Sequence, residues 1–421
     1  MHPIVSALKH HKTTVALVAL EIALTCAIVT NALFVIGDRL AAMHMQTGVA
    51  DNELVWASVS DLDLGGGATT AGGTSLNPQG DHAWESKAAA DLAALRGMPG
   101  VKSVVMSNAL PLGGSYWSMG IYRRPGDKKS GFDNVVEYLG TPGMLKTLGI
   151  KLSEGRDFLP QEYVDYDPFQ AHQAMVPPAA IVTRHLAELL WPGQDPLGRP
   201  VYWDDEGKRV SHVVGVVDHL LNPAINKYQG VDRGLIFPVK AVKGGMYVLR
   251  VDPASRDAVA RDLPKVLTGV NPDRIVTDHH VYAQTVSAYF HDDRALIWLL
   301  AVVIGCLLAL TTLGVVGLSS FWVQQRTRQI GVRRAIGATR RDILRYFQLE
   351  NLLIVSLGVV LGSLSAVGLN LWLMKHYELP HMPLAWVGAG AVVLWAIGQL
   401  AVLGPALRAA AVPPVVATRS V

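Results

Sequence analysis

The chain has 421 residues, 50% of them hydrophobic and 17% charged, with a positive mean hydropathy. That is too apolar for a wholly soluble protein and too polar for one confined to a bilayer, so a few membrane spans and a large soluble domain are expected. The formal net charge is only +3 and most of the positive charge sits in one loop, which gives nucleic-acid binding no support; the two cysteines, Cys26 and Cys306, both lie in apolar runs, which leaves the soluble part without a disulfide or a thiolate metal site.

Residues 1–37 read as a short cytoplasmic leader with Lys9 and Lys12, then a first span over Thr13–Ile36. A bilayer-crossing helix needs ~20 apolar residues. The run is longer than the ~7–15 residue core of a cleavable signal peptide, and Asp38-Arg39 is a poor end for one. Glu21 and Thr25 share a face at helical spacing. Two readings stand for the carboxylate: an interhelical hydrogen-bonded contact, or a transport or proton role.

Residues 38–293 have ordinary soluble composition. The alternation of Val55, Ala57 and Val59 within Leu54–Asp63 predicts a half-buried strand. Gly65–Gly80 reads as a loop with the glycines of a phosphate cradle but no following Lys-Ser or Lys-Thr. Asp81–Arg96 is expected to be helical and Val101–Met106 a strand. Gly113–Phe132, with Tyr116, Trp117, Tyr122, Arg123 and Arg124, reads as a polar loop: either packed on its own domain or a contact surface. Thr141–Leu148 and Arg184–Leu190 are expected helices. Strands are expected at Ala179–Val182, Val201–Trp203 paired with Val210–Val217, Leu235–Pro238 and Met246–Val251. The pattern is mixed α+β.

The second span is expected within residues 294–323, the third at 349–374 and the fourth at 384–404, closed by Pro405. Gly358, Gly362 and Ala366 form a small-residue stripe that permits close helix approach, inside the bundle or at a dimer seam. Residues 375–383 make a short turn with Pro380 and Pro383. Between spans two and three, residues 324–348 hold Arg326, Arg328, Arg333, Arg334, Arg340, Arg341 and Arg345, opposed only by Asp342. Apolar Ile330, Val332, Ile336 and Ile343 interleave with them, so part of the stretch suits a surface helix with one apolar and one charged face. Lys and Arg resist translocation, so the leader, this loop and the tail at 405–421, with Arg408 and Arg419, are expected in the cytoplasm. The large domain and the 375–383 turn then lie outside.

Catalytic motifs are missing: the sequence has no Walker A, HExxH or GxSxG pattern. His279-His280 and His291-Asp292-Asp293 are the best metal-like clusters, and neither has spacing that would aim three ligands at one ion. No metal and no cofactor are expected on this chain.

The segment IGVRRAIGATRRDILRYFQLEN (330–351) resembles the cytoplasmic loop of FtsX/MacB-type ABC transporter permeases. GIKLSEGRDF (149–158), LWPGQDPLGRPV (190–201), HVVGVV (212–217) and PALRAAAVPPVVA (405–417) follow in the order expected of that family. One departure is that Gln325 and Gln329 stand where the family usually carries acidic residues. The resemblance implies four transmembrane helices with a MacB-like periplasmic domain of two α+β lobes inserted between the first two. In that domain the second lobe is inserted into the first. It implies a multi-pass protein of the cell inner membrane, a dimer with itself or with a paralogous permease, and ABC ATPase subunits that hold ATP and magnesium on a separate chain. Such a protein relays ATPase-driven motion to the outer domain for efflux; a periplasmic adapter and an outer-membrane channel are further partners of this kind.

On that resemblance Ile330, Gly331, Val332 and Ile336 would enter an ATPase groove. Gly331 and Gly337 would allow close backbone approach. Arg333, Arg334, Arg340 and Arg341 would meet acidic side chains or lipid phosphates. Two other functions remain open at this point: a membrane sensor of an external ligand, and a scaffold that activates a cell-wall hydrolase.

Overall fold

A computed structural model describes residues 12–61, 83–127, 130–166, 176–225, 231–377 and 382–413. The leader as far as residue 11, the 65–80 stretch, Pro380 and the tail from 414, including Arg419, lie outside them. Two compact units result, Met1–His44 with Asp292–Val421, and Met45–His291.

Helices build the first unit. They are α1 (Lys12–Met43) and, after five helices of the second unit, α7 (His291–Gln325), α8 (Thr327–Ala335), α9 (Arg340–Tyr377) and α10 (Leu384–Ala410). Among the described residues four helices, those containing α1, α7, α9 and α10, are long and apolar enough to cross a membrane. Each outruns the span expected from the sequence. α1 continues past Asp38-Arg39, where Arg39 pairs with Asp293 at 2.9 Å. α10 continues through Pro405 to Ala410, so Pro405 does not close it. Proline forfeits one hydrogen bond without ending the φ run on its C-terminal side, and here its ring is buried.

The small-residue stripe of α9 is where α1 lies. A Cβ placed on Gly358 would come within 2.6 Å of Ile22 Cγ2, and one on Gly362 within 2.5 Å of the Ala23 carbonyl and of Cys26 Cβ. Ala366 is fully buried beside Ala27. The stripe therefore packs within the chain. The buried residues of α7, Thr311, Val315, Ser319 and Trp322, recur at one-turn spacing, and Leu308, Val316 and Leu318 pack against the same bundle core. Thr311 shares a hydrogen bond of 3.0 Å with Thr25 of α1. The Glu21 carboxylate faces Gly314, where an added Cβ would sit 2.9 Å from Oε2.

The second unit is α+β. Its strands are β1 (Leu54–Asp61), β2 (Val101–Ser107), β3 (Trp117–Tyr122), β4 (Gly131–Gly140), β5 (Leu152–Gly155), β6 (Ala179–Thr183), β7 (Pro200–Tyr202), β8 (Val210–Val217), β9 (Gly234–Pro238), β10 (Met246–Val251) and β11 (Arg274–Val281). Its helices are α2 (Ala83–Arg96), α3 (Met144–Leu148), α4 (Arg184–Leu190), α5 (Arg256–Val270) and α6 (Tyr282–Tyr289). Strands β11, β1, β10 and β2 form an antiparallel sheet. β4, β3, β7, β8, β6 and β9 pair in sequence, and β9 returns to β4 in parallel, so those six close into a ring.

One strand pair, Ser107 opposite Gly140, joins the two groups. The Asn108 side chain extends the joint by donating to the Glu137 carbonyl and accepting from Leu139 N–H, both at 2.8 Å. Apolar side chains sort by strand period: Val55 and Ala57 join one core with Val104, Val135 and Leu139, while Leu54 joins another with Val105, Val136 and Tyr138. α5 presents Val259, Leu263 and Leu267 at i, i+4, i+8 to the first core. Asp91 of α2 is fully buried, paired with Arg274 of β11 and accepting from Tyr247 Oη of β10 at 2.5 Å.

The stretch 113–132 departs from its reading as a loop, because it holds β3 and the start of β4. Trp117 and Tyr116 pack against the unit's own cores.

Candidate functional site

The basic stretch between α7 and α9 folds as two helical pieces with a sharp turn between them. α8 ends in Ile336, and Gly337 follows at φ 108°. Ala338 N–H bonds the Arg333 carbonyl at 3.0 Å and Gly337 N–H the Arg334 carbonyl at 3.2 Å, a left-handed glycine stop that satisfies the last carbonyls of α8. Thr339 then caps α9. Its Oγ1 accepts from Asp342 N–H at 3.2 Å, and Asp342 Oδ2 accepts from Thr339 N–H at 3.0 Å. The one acidic residue among the arginines is thus spent on starting a helix.

The interleaved apolar and basic residues divide into two sets. Ile330 is buried with Ile343, Phe347, Ala406, Ala409 and Ala410, so α8 is seated on α9 and the end of α10. Gly331 is buried as well. Arg334 donates from Nη1 to the carbonyls of Ala410 and Val412, at 3.1 and 2.7 Å, capping the C-terminus of α10. Arg326 Nη1 meets both oxygens of Glu350, at 3.0 and 2.9 Å, with Glu350 almost fully buried. Its guanidinium also lies 5.6 Å over the Trp322 ring. These four residues hold the element in place and do not present a surface.

The second set faces outward. Ile336 is 82% exposed and Val332 44% exposed. Arg333, Arg340 and Arg341 are exposed, with Arg333 lying 5.0 Å over the Tyr346 ring. Among the described residues, its chain neighbours aside, nothing lies within 4 Å of where a Gly337 Cβ would be, so that turn is open to close approach. An exposed apolar tip ringed by arginines is a surface suited to an acidic partner.

Of the residues singled out in the sequence, Val332, Arg333, Ile336, Gly337, Arg340 and Arg341 are therefore exposed. Ile330, Gly331 and Arg334 are turned into the bundle. Sequence reasoning missed Glu350 and the cap residues Thr339 and Asp342. A lone carboxylate at the head of an apolar run, and a Thr-x-x-Asp spacing just before it, were the available signals.

Among the described residues no group of three His, Cys, Asp or Glu side chains is placed to hold a metal ion. His280 bonds Asp278 at 2.8 Å and stacks on His279.

Residues 296–414 match the family model described as the FtsX-like permease C-terminal domain. The chain is 28% identical over 265 residues to the macrolide export ATP-binding/permease protein MacB of Bdellovibrio bacteriovorus, a match covering 57% of this chain and 38% of that protein. It is 22% identical over 340 residues to the uncharacterized ABC transporter permease YknZ of Bacillus subtilis, covering 78% of each. The match to MacB thus spans less than half of the relative's length. Among solved structures, the periplasmic region of MacB from Actinobacillus actinomycetemcomitans aligns over 59% of this chain and 96% of its own, with 14% identity and a TM-score of 0.35.

Proposed function

We propose that this membrane chain, whose residues 296–414 are an FtsX-like permease domain, works as the permease component of a MacB-like ABC transporter and relays ATPase-driven motion across the membrane. The observation that carries this reading is the outer face of Val332, Ile336, Arg340 and Arg341 on an element clamped to three long helices. A push on that face is delivered to α9 through Ile330 and to α10 through Arg334, as well as to α7 through Arg326. A rigid element passes on displacement where a mobile loop would absorb it.

ATP and magnesium belong to an ABC ATPase on another chain, which docks on this face. A second permease copy or a paralogue completes the dimer. The cluster of arginines between α7 and α9, read by the positive-inside rule, supports a position of the 45–291 unit outside the inner membrane, where an adapter and an outer-membrane channel would meet it. The substrate class is efflux cargo, handled by that outer unit.

Substitution of Ile336→Asp, and separately of Arg340→Glu with Arg341→Glu, tests the docking face. The parent chain, purified in mild detergent, is expected to bring an ABC ATPase with it. Each variant is expected to lose roughly tenfold or more of it, as for residues central to an interface. An ATPase yield unchanged in both variants, or absent from the parent, would reject the reading.

A further inference from the structure

His219 lies in the segment after β8 and bonds through both ring nitrogens. Nδ1 is 2.5 Å from Asp232 Oδ2, and Nε2 meets the backbone carbonyl of Gln46. A carboxylate and a carbonyl oxygen only accept hydrogen bonds. A neutral imidazole has one N–H to donate, whereas an imidazolium has two. Only the charged ring satisfies both contacts. Once it is neutral, a nitrogen lone pair faces an oxygen lone pair at one of them.

Two further contacts set the same segment against the same loop. Leu221 N–H donates to the Thr47 carbonyl at 3.0 Å. Gly48 sits at φ +86°, and a Cβ there would come within 2.8 Å of the His219 carbonyl carbon. Gln46 comes three residues after Met43, the last residue of α1. The segment is therefore the chain's entry into the second unit; the His219 ring and one backbone bond tie it to the stretch after β8, beside the bonds of the Thr47 side chain to Asp51 and Tyr282 and of Ala50 N–H to the Leu148 carbonyl.

We infer that His219, as an imidazolium, is a proton-operated latch that fixes the Gln46–Gly48 entry segment to the loop between β8 and β9, and that loss of the proton loosens that segment. The charged groups around it favour the closed form. Asp232 of the β9 approach is buried and also receives Leu220 N–H at 3.4 Å. Asp218, next in the chain, is engaged by Arg184 of α4 at 3.2 Å. Asp51 of the entry segment is hydrogen-bonded by Thr47, and burial raises its pKa. Tyr138 of β4 and Tyr282 of α6 are pushed well above the usual tyrosine range by burial, so they stay neutral. The hydrogen bond to Asp232, outweighing desolvation, raises the His219 pKa above its ordinary 6.5. The latch is thus fully closed below about 6.5 and opens as pH climbs through the raised value.

The test is hydrogen–deuterium exchange on the full chain in detergent, at about pH 6 and about pH 9, corrected for intrinsic rates. The reporter is the Leu221 amide, and the β10 amides are the reference. Leu221 protection is expected to fall by roughly tenfold for each unit by which the latch raises the imidazole pKa. His219→Gln is expected to abolish that fall while the β10 amides hold. Asp232→Asn is expected to move the midpoint down toward ordinary imidazole. Titration of Glu137 elsewhere in the unit is common to all three proteins and cancels in the comparison. Equal Leu221 protection at both pH values in the parent overturns the latch, as does the full parental fall in His219→Gln. Should that variant lose β10 protection through misfolding, an unmoved midpoint in Asp232→Asn overturns it equally.

Discussion

Glu137 stands in β4, turned to the same side as Val135 and Leu139, with almost none of its surface exposed. Burial pushes its carboxyl up to about 7, against the downward pull of the Tyr166 hydrogen bond and the Arg209 charge. Below the ordinary 4.5 the folded and unfolded chains both hold this proton. Between about 4.5 and about 7 the unfolded chain sheds it and the folded one keeps it, so stability falls as pH rises, by up to about 1.4 kcal/mol per pH unit. Glu137→Gln is expected to flatten that slope in denaturant melts taken across this window; a slope identical to the parent's would assign it elsewhere. The Arg326–Glu350 pair makes a second residue-scale case. Removing one partner strands the other in a buried site, at about 3–5 kcal/mol. Glu350→Gln and Arg326→Ala are each expected to lower the detergent unfolding midpoint, and the exchange Arg326→Glu with Glu350→Arg to recover part of the loss.

Helix contacts at the element scale are decided by how close two backbones come. Gly362→Val would drive its side chain into Ala23 and Cys26 of α1, with a cost of at least ~1–3 kcal/mol. Gly368 lies six residues beyond Gly362, on another face of α9, and among the described residues outside its own helix nothing lies within 4 Å of its Cβ position, so Gly368→Ala is expected to stay within ~1 kcal/mol of the parent. Thermal unfolding of the pair of variants checks the contrast. This same stripe was legible in the sequence because Gly-x-x-x-Gly is a local spacing. The caps Gly337 and Thr339–Asp342 were equally local, yet the density of arginines masked them. The split between inward Ile330 and Arg334 and outward Ile336 and Arg340 was not legible. It depends on where the end of α10 lies, some 70 residues further on. β3 was hidden for a related reason. Trp117–Tyr122 has a glycine and polar residues, and it becomes a strand only because β4 and β7 offer it partners.

At the scale of the whole molecule, charge asymmetry predicts sidedness. Gln194→Cys, exposed in the second unit, is expected to react with a membrane-impermeant maleimide on intact cells. Ile336→Cys is expected to react only after the membrane is opened. Labelling of both from one side would refute the topology. Cys26 is buried, and Cys306 lies in the apolar stretch of α7, which leaves a low background.

The single strand pair between Ser107 and Gly140 has a mechanical meaning. A backbone ladder loaded along its strands is stiff and breaks abruptly, whereas an apolar layer has no preferred direction and lets its faces slide. The four-stranded sheet and the six-stranded ring share such a layer, in which Val105 and Val248 of one meet Val136 and Ile236 of the other. Among the described residues one rung, the Asn108 amide and the bonds between Met106 and Thr141 cross it as hydrogen bonds. Directional bonding between ring and sheet is thereby gathered into one short seam: a torque that turns one body against the other loads residues 106–108 and 137–141 first, while the apolar layer around them resists it less.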